Sequence, residues 1–259
     1  IEAFLYEKKY IFNIFYCESL NIYNNVNIFK KPLEYIDFNE KISLNKNYRQ
    51  QKNIIDFSNR FCENANEYIK TLRNNVNRDL YKKSNSILKN GITSQIVKVD
   101  DLEDQINAIL WEIEYLVKNK GLDYGDIAIV FPYNKKKLKN GKTIYFQYLL
   151  RKALDDVNIP YIIGDDDLTK HAKKTGITLS NLYFIKNLEY KAVVFCELEM
   201  LYNQTINKED QDYQINDFIG DLNKIYMVIN RASEYLTITT TFNENSSELI
   251  KILVNSINT

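Results

Sequence analysis

The chain has 259 residues, 45% of them hydrophobic, with 34 Lys and Arg against 34 Asp and Glu. Such a chain buries a real core, which excludes a disordered polymer, and its zero net charge excludes a global field that would coat nucleic acid, so any strand binding must use a local groove. No apolar run reaches the roughly 18 residues of a membrane span, and Cys17, Cys62, Cys196 and the single His171 lie too far apart, without a C-x-x-C pair, to suggest a metal site. The expectation is a cytoplasmic protein with no membrane partner and no metal ligands of its own. Because it opens on Ile1 without a charged-then-apolar leader, the chain reads as a piece of a longer protein.

In chain order, 10–16 has the composition of a buried strand, and 17–23 reads as the loop leaving its carboxyl end, where α/β proteins put ligand sites. Residues 42–49 read as a short strand running into a long helix lined by Ile54, Phe57, Phe61 and Ala65. Tyr48 and Arg49 then lie at a strand-to-helix junction, a usual address for phosphate contacts, although pairing of Arg49 with acidic residues of the helix fits that feature as well. The polar stretch 74–90 reads as a loop or short helix.

Residues 95–99 form a strand, and Asp100 or Asp101 caps an amphipathic helix carrying Leu102, Ile106, Leu110, Ile113 and Val117. A turn over 121–126 leads into the continuous apolar run Ile127–Phe131, of the kind buried on both faces of a sheet. Further strands at Tyr161, Ile177, Val193 and Leu236 alternate with helices. That alternation predicts a mostly parallel sheet with helices on both sides.

Three local patterns invite over-reading. Gly141, Lys142 and Thr143 follow a strand and open a helix, as in a phosphate-binding loop, but Lys136 stands where the first glycine belongs, and the lysines around it crowd a loop that needs backbone donors. The reading is a turn followed by Thr143 as a helix cap. Asp165, Asp166 and Asp167 are consecutive, so they face different ways and belong to a solvated loop, and His171 has no ligand companions.

Near the end, Phe218, Leu222, Ile225, Val228, Ile229 and Ala232 recur at helical spacing before a β-rich run from Tyr235. This puts Arg231 in the last turn of a helix, where a lone arginine also complements the helix dipole. Lys224 on the same helix reads as a surface residue.

Three ordered segments carry a resemblance. Leu44-Asn-Lys-Asn-Tyr-Arg49 followed by Ile54 resembles motif IV (L-x-x-N-Y-R) of the second RecA-like domain of UvrD/Rep-like superfamily 1 DNA helicases. The stretch 177–193, with Lys186, Leu188 and Glu189, resembles motif V (T-x-H-x-x-K-G-L-E-[FY]-x-x-V), and Tyr226-Met-Val-Ile-Asn-Arg-Ala232 resembles motif VI (Y-V-A-x-T-R-A). Residues 16–23 are similar to motif III at the end of the first such domain, and Glu2-Ala3 to a remnant of its D-E-A-Q box. The departures are Cys17 and Leu20 in motif III, Asn181, Tyr183 and Asn187 in motif V, and Asn230 in motif VI.

The resemblance implies an α/β, RecA-like (P-loop NTPase-type), mostly parallel sheet flanked by helices. Residues 1–40 would be a remnant of the first RecA-like domain or its connector, and 41–259 the second RecA-like domain. The short gap between Tyr161 and Ile177 implies that the large accessory insertion of many relatives is absent. By the same resemblance the chain is the C-terminal motor lobe of an ATP-dependent helicase or translocase, with ATP and Mg²⁺ held mainly by a missing N-terminal lobe. Tyr48 would stack on the adenine, Glu189 would bond the ribose, and Arg49 and Arg231 would reach the γ-phosphate. Tyr23, Asn181 and Tyr183 would contact single-stranded DNA, with RNA as the other candidate strand. The departures in the motifs keep a second reading open, a non-catalytic scaffold of helicase origin that binds nucleic acid or a protein.

Overall fold

The computed structural model describes residues 17, 40, 42–72, 79–89, 91, 94–134, 136–137, 143–164, 175–202 and 211–257. The expectations that fall on Glu2, Ala3, the strand 10–16, Tyr23, Gly141, Lys142, 165–167 and His171 lie outside these residues.

Helix α1 (Lys52–Leu72) buries Ile54, Phe57, Phe61, Ala65 and Ile69 along one face, as its spacing predicts. A two-residue strand just before it, Lys46–Asn47, pairs in parallel with Asn85–Ser86. The polar segment 79–89 is therefore neither a plain loop nor a helix. Asn66 on α1 brackets Tyr81, donating to its carbonyl at 2.8 Å and accepting from its N–H at 3.0 Å, which seats the tyrosine in the core.

Strand β1 (Gln95–Lys98) leads to α2 (Leu102–Lys120), whose N-cap is Asp101, accepting from Asp104 N at 2.9 Å. Gly121 closes α2 at φ 68°, the left-handed conformation where a side chain is strained. Strand β2 (Ile127–Phe131) is buried along its whole length. Between it and α3 (Phe146–Asp156) lies a small antiparallel ribbon of Lys136–Lys137 with Thr143–Ile144. Thr143 is thus not a helix cap. The β-branched Thr143 and Ile144 take the extended conformation, and the N-cap position falls on Tyr145, which makes no side-chain cap bond.

Strands β3 (Tyr161–Ile163), β4 (Ile177–Asn181) and β5 (Tyr190–Phe195) follow, then a one-turn helix Glu199–Tyr202, α4 (Gln211–Ile229), β6 (Ala232–Thr240) and α5 (Glu248–Asn255). The six strands form one all-parallel sheet in the order β1-β6-β5-β2-β4-β3, flanked by helices, which is the α/β class expected. Alternation along β2 divides the core: Ala128 and Val130 pack with α1, α4 and α5, whereas Ile127, Ile129 and Phe131 pack with α2 and α3. Helix α4 stops at Ile229 and β6 already begins at Ala232, so Arg231 occupies the turn between them and not the last helical turn.

Candidate functional site

The amino ends of β5 and β6 lie side by side, with Ala232 in register with Tyr190. Glu189 immediately precedes β5, Arg231 immediately precedes β6, and the bend 48–50 that opens α1 meets both. Asn47 shapes that bend, its side-chain oxygen accepting from the N–H of Arg49 at 3.0 Å and of Gln50 at 2.9 Å. Arg49 then reaches Glu189, with which its Nη1 forms an ion pair, and Asn230, whose carbonyl accepts from its Nη2 at 2.8 Å. The Nε of Arg49 is buried and has no hydrogen-bond partner.

Arg231 is only 8% exposed. Its Nε donates to Met227 O at 3.1 Å and its Nη1 to Leu188 O at 3.4 Å, so its head is held between the end of α4 and the approach to β5. Burial first, and then the charge of Arg49, lowers its pKa, while Glu189 acts in the opposite direction. Two guanidiniums and one carboxylate therefore share one electrostatic environment. Tyr48 stands beside them with 66% of its surface exposed. Of the residues expected to face a nucleotide, the structure brings Arg49, Glu189 and Arg231 together and leaves Tyr48 open to solvent next to them.

Gln50 is a residue that the sequence does not single out. Its side-chain amide donates to Ala232 O at 2.8 Å, which ties the bend directly to β6. Its position gives no signal, because it follows Arg49 and precedes the first apolar residue of α1, where a solvent-facing polar residue is the default.

Asn181 and Tyr183 lie elsewhere, at the carboxyl end of β4. The Asn181 side chain accepts from Tyr183 N at 3.0 Å and Phe184 N at 3.3 Å, and its Nδ2 donates to Asn134 at 3.3 Å. Tyr183 is half-buried against Tyr133, their rings 6.4 Å apart and tilted by 43°. The connection 182–189 thus runs from the carboxyl edge of the sheet back to the amino edge that holds Glu189.

Beneath this pair lies Lys224, which is buried and not on the surface. It donates to Asp221 at 2.7 Å and to the Tyr133 hydroxyl at 3.3 Å. Burial acts to lower its pKa, but Asp221 and then Tyr133 outweigh that, and the ammonium is held above its usual range. Among the described residues no group of three or more His, Cys, Asp or Glu is placed to hold a metal ion, and no helix is long and apolar enough to cross a membrane.

Residues 42–168 match the family model of the UvrD-like helicase C-terminal domain. The match takes in Tyr48 and Arg49 and ends before Glu189 and Arg231. One subunit of the ATP-dependent helicase/deoxyribonuclease of Bacillus cereus strain G9842 is 29% identical over 120 residues, and its counterpart in Bacillus anthracis 28% over 120 residues; each match takes in 46% of this chain and 10% of the relative. The chain thus spans about a tenth of the length of these curated relatives. The solved C-terminal domain of a possible DNA helicase from Lactobacillus plantarum WCFS1 superposes with a TM-score of 0.46 at 16% identity, covering 79% of this chain and 93% of that one.

Proposed function

We propose, from the match of residues 42–168 to the UvrD-like helicase C-terminal domain, that this chain is the second motor lobe of an ATP-dependent helicase or translocase acting on single-stranded DNA. The observation that carries the reading is the meeting of Arg49, Glu189 and Arg231 at one edge of the sheet, from segments far apart in the chain, beside the exposed Tyr48.

The donor set fits a nucleotide phosphate. Guanidiniums bind phosphate oxygens by charge-assisted hydrogen bonds, and the buried Nε of Arg49 lacks an acceptor that a phosphate oxygen would supply. ATP would supply the phosphoryl group and Mg²⁺ would neutralise part of its charge, both held mainly by a partner lobe, with Arg49 and Arg231 reaching the phosphate from this chain. In this chain, Arg49 pairs with Glu189 at a partly exposed site, where an ion pair contributes little in water. A phosphate carrying more charge than one carboxylate displaces Glu189 from Arg49 and frees it for a ribose hydroxyl. Tyr48 offers an open ring face for the base. Arg231 is already fixed by two carbonyls, so it stabilises developing charge without reorganising.

On the opposite edge, Tyr183 offers a ring for base stacking and Asn181 shapes the turn that presents it. Stacking is worth about 1–3 kcal/mol per base and tolerates any sequence. The connection 182–189 joins this edge to Glu189, so closure around nucleotide and grip on the strand act on one short segment.

The test is steady-state ATPase with and without single-stranded DNA. The isolated chain is expected to be inactive, because arginines alone meet a solvated phosphate in high dielectric. With an intact nucleotide-binding lobe supplied, Arg231→Ala and Arg49→Ala lower turnover by a factor of about 10² or more. Arg49 is partly exposed, so its variant separates lost chemistry from unfolding, and Lys118→Ala on the exposed face of α2 leaves turnover unchanged. Wild-type turnover in both arginine variants would overturn the reading in favour of the non-catalytic scaffold.

A further inference from the structure

The turn that carries Arg231 is held by its carbonyls. Gln50 Nε2 donates to Ala232 O at 2.8 Å and to Ile229 O at 3.5 Å, Arg49 Nη2 to Asn230 O at 2.8 Å, and Gln51 N to Ser233 O at 2.9 Å. The carbonyl of Arg231 itself accepts from Tyr190 N at 3.0 Å, one residue after Glu189. Every carbonyl from 229 to 233 thus has a donor, and those of 229, 230, 232 and 233 are each served from within 49–51.

Gln50 is the centre of this clamp. It is 0% exposed. Its Oε1 accepts from Asn47 Nδ2 at 2.9 Å, its N–H donates to Asn47 Oδ1 at 2.9 Å, and its carbonyl accepts from Ser86 Oγ at 2.8 Å. A buried amide satisfied on both sides cannot rotate without leaving donors and acceptors unpaired, so its length acts as a fixed spacer.

We infer that Gln50 is a positioning residue whose amide locks the Arg231 turn to the Arg49 bend, so that both guanidiniums address one anion as a single rigid unit. The inference rests on the reading above that both arginines face nucleotide phosphate. Arg49 and Arg231 carry like charges, and the pKa of Arg231 is lowered first by burial and then by the charge of Arg49. Something other than their own attraction must hold them there, and the side-chain and backbone bonds of 49–51 do so. A locked pair meets the phosphate without an ordering cost at the moment of reaction.

The experiment compares Gln50→Met, which keeps the shape and removes the amide, with Asn66→Ala. Asn66 is a second buried amide, with two bonds to the Tyr81 backbone and none to the arginines. NMR exchange of the Arg231 Nε–H, the proton donated to Met227, is read on the 259-residue chain. Gln50→Met is expected to raise that exchange rate about tenfold or more, and Asn66→Ala to leave it within about twofold. With the nucleotide-binding lobe supplied, Gln50→Met lowers kcat about tenfold with KM moved much less, whereas Asn66→Ala keeps wild-type kcat wherever it is folded.

Unchanged exchange in Gln50→Met overturns the positioning role, and so does an equal rise in both variants, which marks general loosening. If Arg231→Ala lowers turnover and Gln50→Met does not, the clamp is refuted. If exchange responds as expected while Arg231→Ala keeps full turnover, the clamp stands and the nucleotide reading fails.

Discussion

Lys224 shows how a single side chain can be misjudged from its neighbours in sequence. It sits on α4 one turn from Asp221, and a lysine in a helix is normally solvated. Here the helix packs on one face of the sheet, and Tyr133 from beyond β2 lies with its ring centroid 5.8 Å from the ammonium. Lys224→Ala leaves the Asp221 carboxylate buried without its counter-charge, which costs about 3–5 kcal/mol. Thermal unfolding is expected to show a large loss for Lys224→Ala and a partial recovery for the Lys224→Ala, Asp221→Ala double variant. Equal stability of Lys224→Ala and wild type would mean that the pair is solvated. Other residues are legible: motif order singles out Arg49, Glu189 and Arg231, and they meet. Gln50 is not, because polar residues at a helix start look alike until the strand across from them is known.

At the scale of elements, the strands and helices follow closely from their apolar periods, and the misses fall where tertiary pairing decides. Asn85–Ser86 becomes a strand because Lys46–Asn47 lies beside it, and Thr143 joins a ribbon because Lys136–Lys137 does. Helix α2 carries a further tertiary device. Glu112 is buried, accepting from Gln95 of β1 at 2.9 Å and Thr237 of β6 at 2.8 Å. Burial raises its pKa above the ordinary 4.5, although both bonds act the other way. In the folded chain the proton is therefore held more tightly than in the unfolded chain. Stability falls as pH rises from about 4.5 through the folded value, where the unfolded chain has lost the proton first. Glu112→Gln keeps the shape and has no charge to bury. It is expected to match wild type near pH 4 and to melt at a higher temperature near pH 7. A stability difference that is constant with pH would show that Glu112 does not titrate in this window.

At the scale of the whole molecule, the sheet divides the chain into two packed layers, and the candidate site lies on the side of α1 and α4. The layer formed by α2 and α3 contributes nothing to the arginines directly, but it packs behind β2, β4 and β5. Motif order names the candidate residues and places Arg231 just ahead of a strand and Arg49 where a strand enters a helix, but it does not say that these two places adjoin; they do so at the amino ends of β5 and β6, because α1 enters the fold there.

The strand order also sets a timetable. β6 is made last among the strands, yet it lies between β1 and β5, and the bond from Gln95 to Thr237 spans 142 positions. A chain emerging from the ribosome therefore holds β1 with no neighbour until residue 240 has been synthesised, and it must close a loop of that length to finish the sheet. A chain stopped at Arg231 is expected to exchange the amide protons of 95–98 at the rate of an unfolded peptide, whereas the complete chain protects them. Protection of those protons in the shortened chain would show that β1 finds another partner first. Until β6 arrives, the nascent domain is two unfinished edges, each able to pair with another unfinished chain.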